Sequence, residues 1–149
     1  PWGGNLDVRD VCAGHKIHLN AAHAGGLLFL GDVHASQGDS ELTGIADETA
    51  ADVTVSCQVL KGRTTPGVMR IEKPDSIVQV DSARNAGSME RALNYCFINM
   101  MRWLVDGYGM SRREAYLHMT ANSLVRINVY QFTLGFFVCG VEFPKRYLS

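Results

Sequence analysis

The sequence predicts an α+β domain that is mainly β, with two helices late in the chain. Short alternating or continuous apolar runs, separated by glycine, proline and charged turns, fill most of the chain before Ser88 and after Thr120. The segments between these two residues carry helical periodicity and capping residues instead. With 149 residues, the chain has the length of a single domain with a buried core.

Five strands are predicted before the helices. They cover residues 16–20, 26–30, 52–60, 68–72 and 76–80. Residues 26–30 are continuously apolar up to the glycine that follows, which indicates a short buried strand. Four apolar side chains of residues 52–60 fall on one face, because successive strand residues point to opposite sides. We expect these strands to form a sheet that presents the polar segment after Leu30 at its edge.

A first helix is predicted from Ser88 to Val105, followed by a stop at Gly107–Gly109. Ser88 is a favourable N-cap, and Glu90 places a negative charge in the first turn. The spacing of the apolar residues predicts that one face of this helix is buried. That face comprises Leu93, Cys96, Phe97, Met100 and Leu104.

A second helix is predicted from a capping box formed by Ser111 and Glu114 and extends to about Thr120. Met110 and Ala115 are spaced for a hydrophobic staple. Residues 124–129 and 133–141 then resemble strands, which we expect to close the sheet.

Composition gives no sign of a nucleic-acid or membrane partner. Lys and Arg number 14 against 15 acidic residues, so the net charge of −1 provides no basic surface for nucleic acid or anionic lipid. The sequence contains no apolar run long enough for a transmembrane helix and shows no secretory signal. The first residue is Pro1 rather than methionine, which we interpret as a sign of trimming or cleavage.

The four cysteines are expected to be buried, reduced thiols in a cytoplasmic protein. None belongs to a C-x-x-C pair, which argues against a structural zinc site, and none lies in the polar segment described next. His15, His18 and His23 occur in a strand-like context, so we expect them on the surface or in loops.

The most chemically loaded segment runs from Gly31 to Glu41. It contains three acids, a histidine and a glutamine, with glycines that allow sharp turns: Gly-Asp-Val-His-Ala-Ser-Gln-Gly-Asp-Ser-Glu. Carboxylates and an imidazole in such a segment suit metal binding or acid–base work on a substrate. From the residue types alone, a solvent-exposed acidic turn with a histidine that only makes structural hydrogen bonds remains an equal alternative.

This segment resembles the signature of the acetamidase/formamidase family, usually Gly-Asp-x-His-Ala-x-Gln-Gly-Asp-Gly-Glu. Upstream, residues 2–7 are similar to the family's Gly-Gly-Asn-x-Asp, and Glu48 falls where the family carries a further glutamate. The helical region 91–116 also resembles the C-terminal part of the family. Members are usually about twice as long as this chain, so the resemblance covers only their C-terminal half and implies half of a catalytic unit.

The resemblance implies a metal-assisted amidohydrolase that cleaves small linear amides, such as formamide or acetamide, into a carboxylate and ammonia. The expected metal ligands are Asp7, Asp32 and His34. The expected catalytic carboxylates are Asp39, Glu41 and Glu48. The expected substrate-binding residues are Asn5 and Gln37. Zinc is the usual ion for an Asp/His site, whereas an oxygen-rich site also suits calcium or magnesium. The chain lacks a G-x-S-x-G motif, which disfavours a serine amidase.

Two departures from the family pattern leave alternatives open. Ser40 stands where the family signature has glycine, and Ser123 stands where the family usually has aspartate. A lactam hydrolase of the same family and a non-catalytic subunit that retains the fold are therefore the competing hypotheses. The missing half also predicts a second chain that completes the domain, and further assembly into an oligomer.

Overall fold

The computed structural model describes residues 4–133 and 135–148, so Trp2 and Gly3 of the upstream motif lie outside the described residues. In chain order, the strands and helices are β1 (Lys16–His18), β2 (His34–Ser36), β3 (Asp47–Glu48), β4 (Met69–Glu72), β5 (Ser76–Ser82), α1 (Ala83–Ala86), α2 (Met89–Tyr108), α3 (Arg112–Ala121), β6 (Arg126–Thr133) and β7 (Phe136–Pro144). Short 3-10 turns occupy Asp39–Glu41 and Lys145–Tyr147. The predicted α+β class with many strands and two late helices is confirmed.

Five strands form one antiparallel sheet in the order β1-β4-β5-β7-β6. One face of the sheet packs against α1, α2 and α3, with Ile77, Val141 and Phe143 in that core. The other face packs against the N-terminal segment through Leu6 and Val8. Strand β5 is buried along its whole length because both layers cover it.

The predicted strands at residues 68–72 and 76–80 are present as β4 and β5. The predicted strand at 16–20 is present but shorter, as β1. Both closing strands are present as β6 and β7, each ending a few residues later than predicted. They form a hairpin with a register shift between Val129 and Gln131. Such an irregularity redirects side chains at a sheet edge, and β6 is the edge strand here.

The capping residues of both long helices are confirmed. The Ser88 side chain accepts a hydrogen bond from the backbone N–H of Arg91 at 3.2 Å. Ser111 and Glu114 form the reciprocal capping box of α3. The predicted stop at Gly107–Gly109 is confirmed, because α2 continues past Val105 to Tyr108 and Gly109, in the left-handed region, ends it. The short helix α1 was not predicted.

The predicted strands at residues 26–30 and 52–60 are wrong for this chain. Neither segment forms a strand in the structure, and their apolar side chains are exposed, with Leu27 at 95% and Phe29 at 91%. Their apolar patterns indicate a tendency to be buried, but a strand also needs a neighbour to pair with. No other described segment pairs with these residues.

Burial of the cysteines is confirmed for only two of them. Cys96 and Cys139 are fully buried, with sulfur atoms 3.9 Å apart, whereas Cys12 and Cys57 are exposed because they lie in irregular segments. All four are free thiols. Among the described residues, no helix combines the length and the hydrophobicity that a membrane crossing would require.

Candidate active site

The polar segment lies against β6, and Gln37 connects the two. Its Nε2 group donates to the backbone oxygen of Tyr130 at 3.2 Å and to the backbone oxygen of Asp7. One side-chain amide thereby joins the polar segment, the edge strand and the N-terminal segment. Since both partners of Nε2 are carbonyl oxygens, the orientation of the amide group is fixed, and Oε1 faces the other way.

The Oε1 atom of Gln37 contacts the imidazole ring of His34. The distance from His34 Nδ1 to Gln37 Oε1 is 3.3 Å, so Nδ1 carries a proton and donates it to the amide oxygen. The Nε2 atom of the ring, on the side away from Gln37, therefore remains available for other partners. A ring held in one tautomer by such a partner is the usual arrangement of a metal-binding histidine.

Two carboxylates meet His34 Nε2. The short ladder between β2 and β3 pairs His34 with Glu48 and brings Glu48 Oε2 to 3.3 Å from Nε2, while Asp32 Oδ1 also lies 3.3 Å away. A neutral imidazole would point a lone pair at two acceptors, so this arrangement requires either a second proton on the ring or a cation between the groups. Burial alone would lower the pKa of His34, but the hydrogen bond to Gln37 and the charges of Glu48 and Asp32 raise it.

A second pair of carboxylates lies on the other side of His34. Glu41 is buried, and its Oε2 atom accepts a hydrogen bond from Gln131 Nε2 at 3.0 Å. The same Nε2 group donates to the Asp7 carboxylate. Burial and the nearby charges of Glu41 and Asp32 raise the pKa of Asp7 to about 6.

Two sets of potential metal ligands therefore share one histidine. In each set, the ligand atoms lie within 4.8 Å of one another. The sets are Asp7, His34 and Glu41, and Asp32, His34 and Glu48. Carboxylate oxygens and an imidazole nitrogen are suitable ligand atoms for zinc. The carboxylates have few hydrogen-bond donors around them to offset their negative charge, which favours a cation here.

These groups surround an open cavity of about 330 Å³. The residues that line it are Asn5, Asp7, Asp32, His34, Glu41, Gly44, Glu48, Gln131, Thr133 and Phe136. Six of the eight predicted site residues are therefore brought together at one place. The other two are Gln37, which lies behind His34, and Asp39, whose exposed side chain forms an ion pair with Arg9.

Backbone strain concentrates at the same place. Among the described residues, positive φ angles outside glycine occur at Asn5, Asp7, Asp32, Ser40 and Glu41. Four of these residues line the cavity, and the fifth, Ser40, is adjacent in sequence to the lining residue Glu41. Side chains in this region of φ cost energy that surrounding contacts must offset, and such residues cluster at functional sites.

The hairpin of β6 and β7 contributes site residues that sequence reasoning missed. Gln131 and Thr133 come from β6 and Phe136 from β7, in a region predicted only as structural strands. Gln131 is 5% exposed, and its Oε1 atom has no hydrogen-bond partner in the structure. A buried glutamine in an apolar strand is the only local signal, and it does not name the partner.

Comparisons with known proteins identify the family of this chain. Residues 2–128 match the model of the acetamidase/formamidase family. The chain belongs to the acetamidase/formamidase family. A curated protein of Schizosaccharomyces pombe, provisionally assigned as a formamidase, is 40% identical over 60 residues, which are 40% of this chain and 15% of that protein.

Solved structures show the same fold over almost the whole chain. An acetamidase from Bacillus halodurans is 26% identical with a TM-score of 0.84, over 99% of this chain and 48% of the other. An acetamidase from Yersinia enterocolitica is 27% identical with a TM-score of 0.76, over 98% and 42%. A predicted acetamidase/formamidase from Thermoanaerobacter tengcongensis, at 21% identity and a TM-score of 0.83 over 99% and 48%, shows the fold alone. The chain thus spans about half the length of these structures.

Proposed function

We propose that this chain contributes the metal-binding half of an amidohydrolase, which cleaves small linear amides of the formamide or acetamide type into a carboxylate and ammonia. Family membership supports amide hydrolysis in general. The observation that carries the proposal is His34, whose Nδ1 is fixed by Gln37 while Nε2 faces the carboxylates of Asp32 and Glu48.

In this proposal Asp7, Asp32 and His34 hold a divalent cation, with zinc as the first choice. Asp7 belongs to one of the two ligand sets, Asp32 to the other, and His34 to both. When bound, such an ion supplies an acidified water and polarises a carbonyl group. These ligand atoms suit a cation, because the carboxylates outnumber the side-chain hydrogen-bond donors around them. Calcium or magnesium would require a set made more completely of oxygen atoms.

The chain's own side chains supply the remaining steps. Glu41 and Glu48 lie on the two sides of His34 and are the carboxylates placed to take a proton from water and return it to the departing nitrogen. Gln131 Oε1, buried and without a partner, is proposed to accept a hydrogen bond from the N–H of the substrate amide. Asn5 lines the same cavity and offers a further amide group to the substrate.

We further propose that a second polypeptide, which carries the part equivalent to the other half of the relatives, completes the domain. The exposed apolar segments 27–30 and 53–60 support this, because they have the patterns of buried strands but no neighbouring strand among the described residues. Together with the shared coverage of about half, they indicate where the second polypeptide would bind. A symmetric oligomer and a cytoplasmic location remain predictions.

A non-catalytic subunit is the second candidate, and one observation favours it. Ser40 occupies a positive φ of 73°, at the position where the family signature has a glycine, and neighbouring Asp39 points away from the cavity. A subunit without activity would tolerate such a departure from the signature, because the exact conformation of this loop would no longer matter for catalysis. A lactam substrate is the third possibility, because the cavity is open.

The substitution Asp32→Asn separates these candidates. If the chain is catalytic, ammonia release from formamide and acetamide should fall by at least a hundredfold, while the unfolding transition changes little, because the Asp32 side chain is exposed. Asp47→Asn is the matched control, since Asp47 is exposed in β3 but does not line the cavity. Unchanged ammonia release by Asp32→Asn would contradict the proposed role of Asp32. Turnover of 2-pyrrolidone alone would contradict the proposed linear-amide activity.

A further inference from the structure

A second cavity, of about 430 Å³, lies on the helical side of the sheet. It is bounded by β5, α1, α2 and the loop before β4, and it shares no lining residue with the first cavity. Its lining consists of Pro66, Gly67, Asp81, Asn85, Tyr95, Ile98, Asn99 and Arg102. Neither the family signature nor the proposed hydrolysis uses any of these residues.

Asp81 provides the key observation at this cavity. Its side chain is fully buried, and its Oδ1 atom accepts hydrogen bonds from the backbone N–H of Ser82 at 2.8 Å and from Asn85 Nδ2 at 2.9 Å. Its Oδ2 atom has no partner. A buried polar oxygen without a hydrogen bond destabilises the folded state, so this atom requires an explanation. Among the described residues, Gln131 Oε1 is the other buried side-chain atom in this condition.

Gly67 shows what surrounds that oxygen. Its φ is +78°, and a Cβ atom added there would lie 3.4 Å from Asp81 Oδ2, 3.3 Å from Asn99 Nδ2 and 2.5 Å from Gln79 Nε2. The loop backbone thus approaches the polar groups more closely than any side chain would allow. An acceptor, Asp81 Oδ2, and a donor, Asn99 Nδ2, consequently lie close together beside the Gly67 backbone, and all three residues line the cavity.

The orientation of the Asn99 amide is set by its other contact. Asn99 Oδ1 accepts a hydrogen bond from Arg102 Nη1 at 3.3 Å, so Nδ2 is the group turned toward Gly67. The cavity wall therefore combines one acceptor and one donor from neighbouring elements, β5 and α2. A ligand that satisfies both must itself offer an N–H or O–H group and an acceptor oxygen.

Charge selects among such ligands. Arg102 lines the cavity and disfavours a cation, while the carboxyl group of Asp81 disfavours an anion. A neutral molecule with an N–H donor beside a carbonyl acceptor fits these conditions. We propose that this cavity is a second binding site, for a neutral primary carboxamide, whose N–H donates to Asp81 Oδ2 and whose oxygen accepts from Asn99 Nδ2.

The test is an acetamide titration of the isotope-labelled protein, followed by ¹H–¹⁵N NMR. Acetamide should cause saturable shifts of the Asn99 side-chain amide and the Gly67 backbone amide. N,N-dimethylacetamide lacks the N–H group and should leave these signals unshifted. Binding at the first cavity would instead shift the Gln131 side chain, so the outcome does not depend on whether the chain hydrolyses amides.

Asp81→Asn is the decisive variant, because it keeps the size of the side chain and its Oδ1 acceptor but replaces Oδ2 with a donor. Binding of acetamide at the Asn99 and Gly67 signals should weaken at least tenfold. The exposed Asp75→Asn variant is the matched control and should bind like the original protein. If Asp81→Asn does not fold, the comparison of acetamide with N,N-dimethylacetamide on the original chain decides. Equal shifts from both compounds, or no saturable shift from acetamide, would overturn the proposal.

Discussion

Ser40 has a strained backbone conformation in the polar segment. With φ 73° and ψ −21°, it lies in a region where an L-amino acid costs about 1–2 kcal/mol. Serine lacks the carboxamide group that lets asparagine offset this cost by a local hydrogen bond. The asparagine and aspartates that share positive φ at this site tolerate it better. Serine in place of the signature glycine therefore destabilises the folded state.

Replacing Ser40 with glycine should consequently stabilise the protein. We expect Ser40→Gly to raise the free energy of unfolding by about 0.5–1 kcal/mol, since the relief of strain exceeds the extra entropy of an unfolded glycine. Urea unfolding measures this change. Ser123→Gly is the control, because Ser123 does not have a positive φ and should lose stability instead. A Ser40→Gly variant less stable than the original would show that the loop is not strained.

Gln37 supports His34 from behind and does not line the cavity. Since partners of this kind fix the tautomer and orientation of a ligand, we expect Gln37→Leu to weaken zinc binding by about 10–100-fold. Competition with a coloured chelator measures the affinity, and Gln58→Leu in an exposed irregular segment is the control. Unchanged zinc affinity in Gln37→Leu would mean that Gln37 does not position the histidine.

At the scale of elements, a charged cluster fastens the N-terminal segment to the sheet. Lys73 Nζ lies 3.2 Å from Asp10 Oδ1 and 2.9 Å from Glu142 Oε1, and Tyr130 donates to Asp10 Oδ2 at 2.6 Å. The N-terminal segment carries Asn5 and Asp7, so this cluster helps to hold two lining residues of the first cavity in place. Burial alone would raise the pKa of Glu142, but hydrogen bonds from Asn128, Ser76 and Lys73 lower it.

The lowered pKa of Glu142 sets the sign of a pH dependence. A carboxyl group whose pKa is lower in the folded state stabilises that state above its unfolded pKa, near 4.5, and the stabilisation is lost as the pH falls through the folded value. We expect Glu142→Gln to cost about 1–2 kcal/mol at pH 7 and progressively less below pH 4.

Urea unfolding of both proteins at a series of pH values measures this difference. The exposed Asp52→Asn variant is the control and should follow the original protein at every pH. A cost of Glu142→Gln that stays constant, or grows, between pH 7 and pH 3 would contradict a stabilising role of the ionised group.

The sequence was most informative about elements whose signals are local. Ser88, Ser111 and Glu114 predicted the starts of both long helices, because a capping hydrogen bond depends on only a few adjacent residues. The apolar runs 26–30 and 52–60 misled, because a strand is defined by a partner that the run does not specify. Similarly, Gln131 joined the site only through the pairing of β6 with the rest of the fold, which leaves no local pattern.

On the scale of the whole molecule, the exposed apolar segments predict association. The isolated chain exposes Leu27, Phe29 and Val59 almost entirely, and we expect it to self-associate or to require its second polypeptide in order to remain in solution. Light scattering at several concentrations measures this, with Leu27→Lys and Phe29→Lys together as the variant that should reduce association. An isolated chain that stays folded and monomeric at every concentration would contradict the proposed second polypeptide.

In the proposed function, the polar cavity around His34 hydrolyses small amides with the help of a metal ion. The most direct measurement is ammonia release from formamide and acetamide by the purified chain, with any polypeptide that copurifies, before and after treatment with a chelator. We expect release that the chelator abolishes and added zinc restores. Release that the chelator leaves untouched would contradict the metal, and no release from either amide would contradict the linear-amide activity itself.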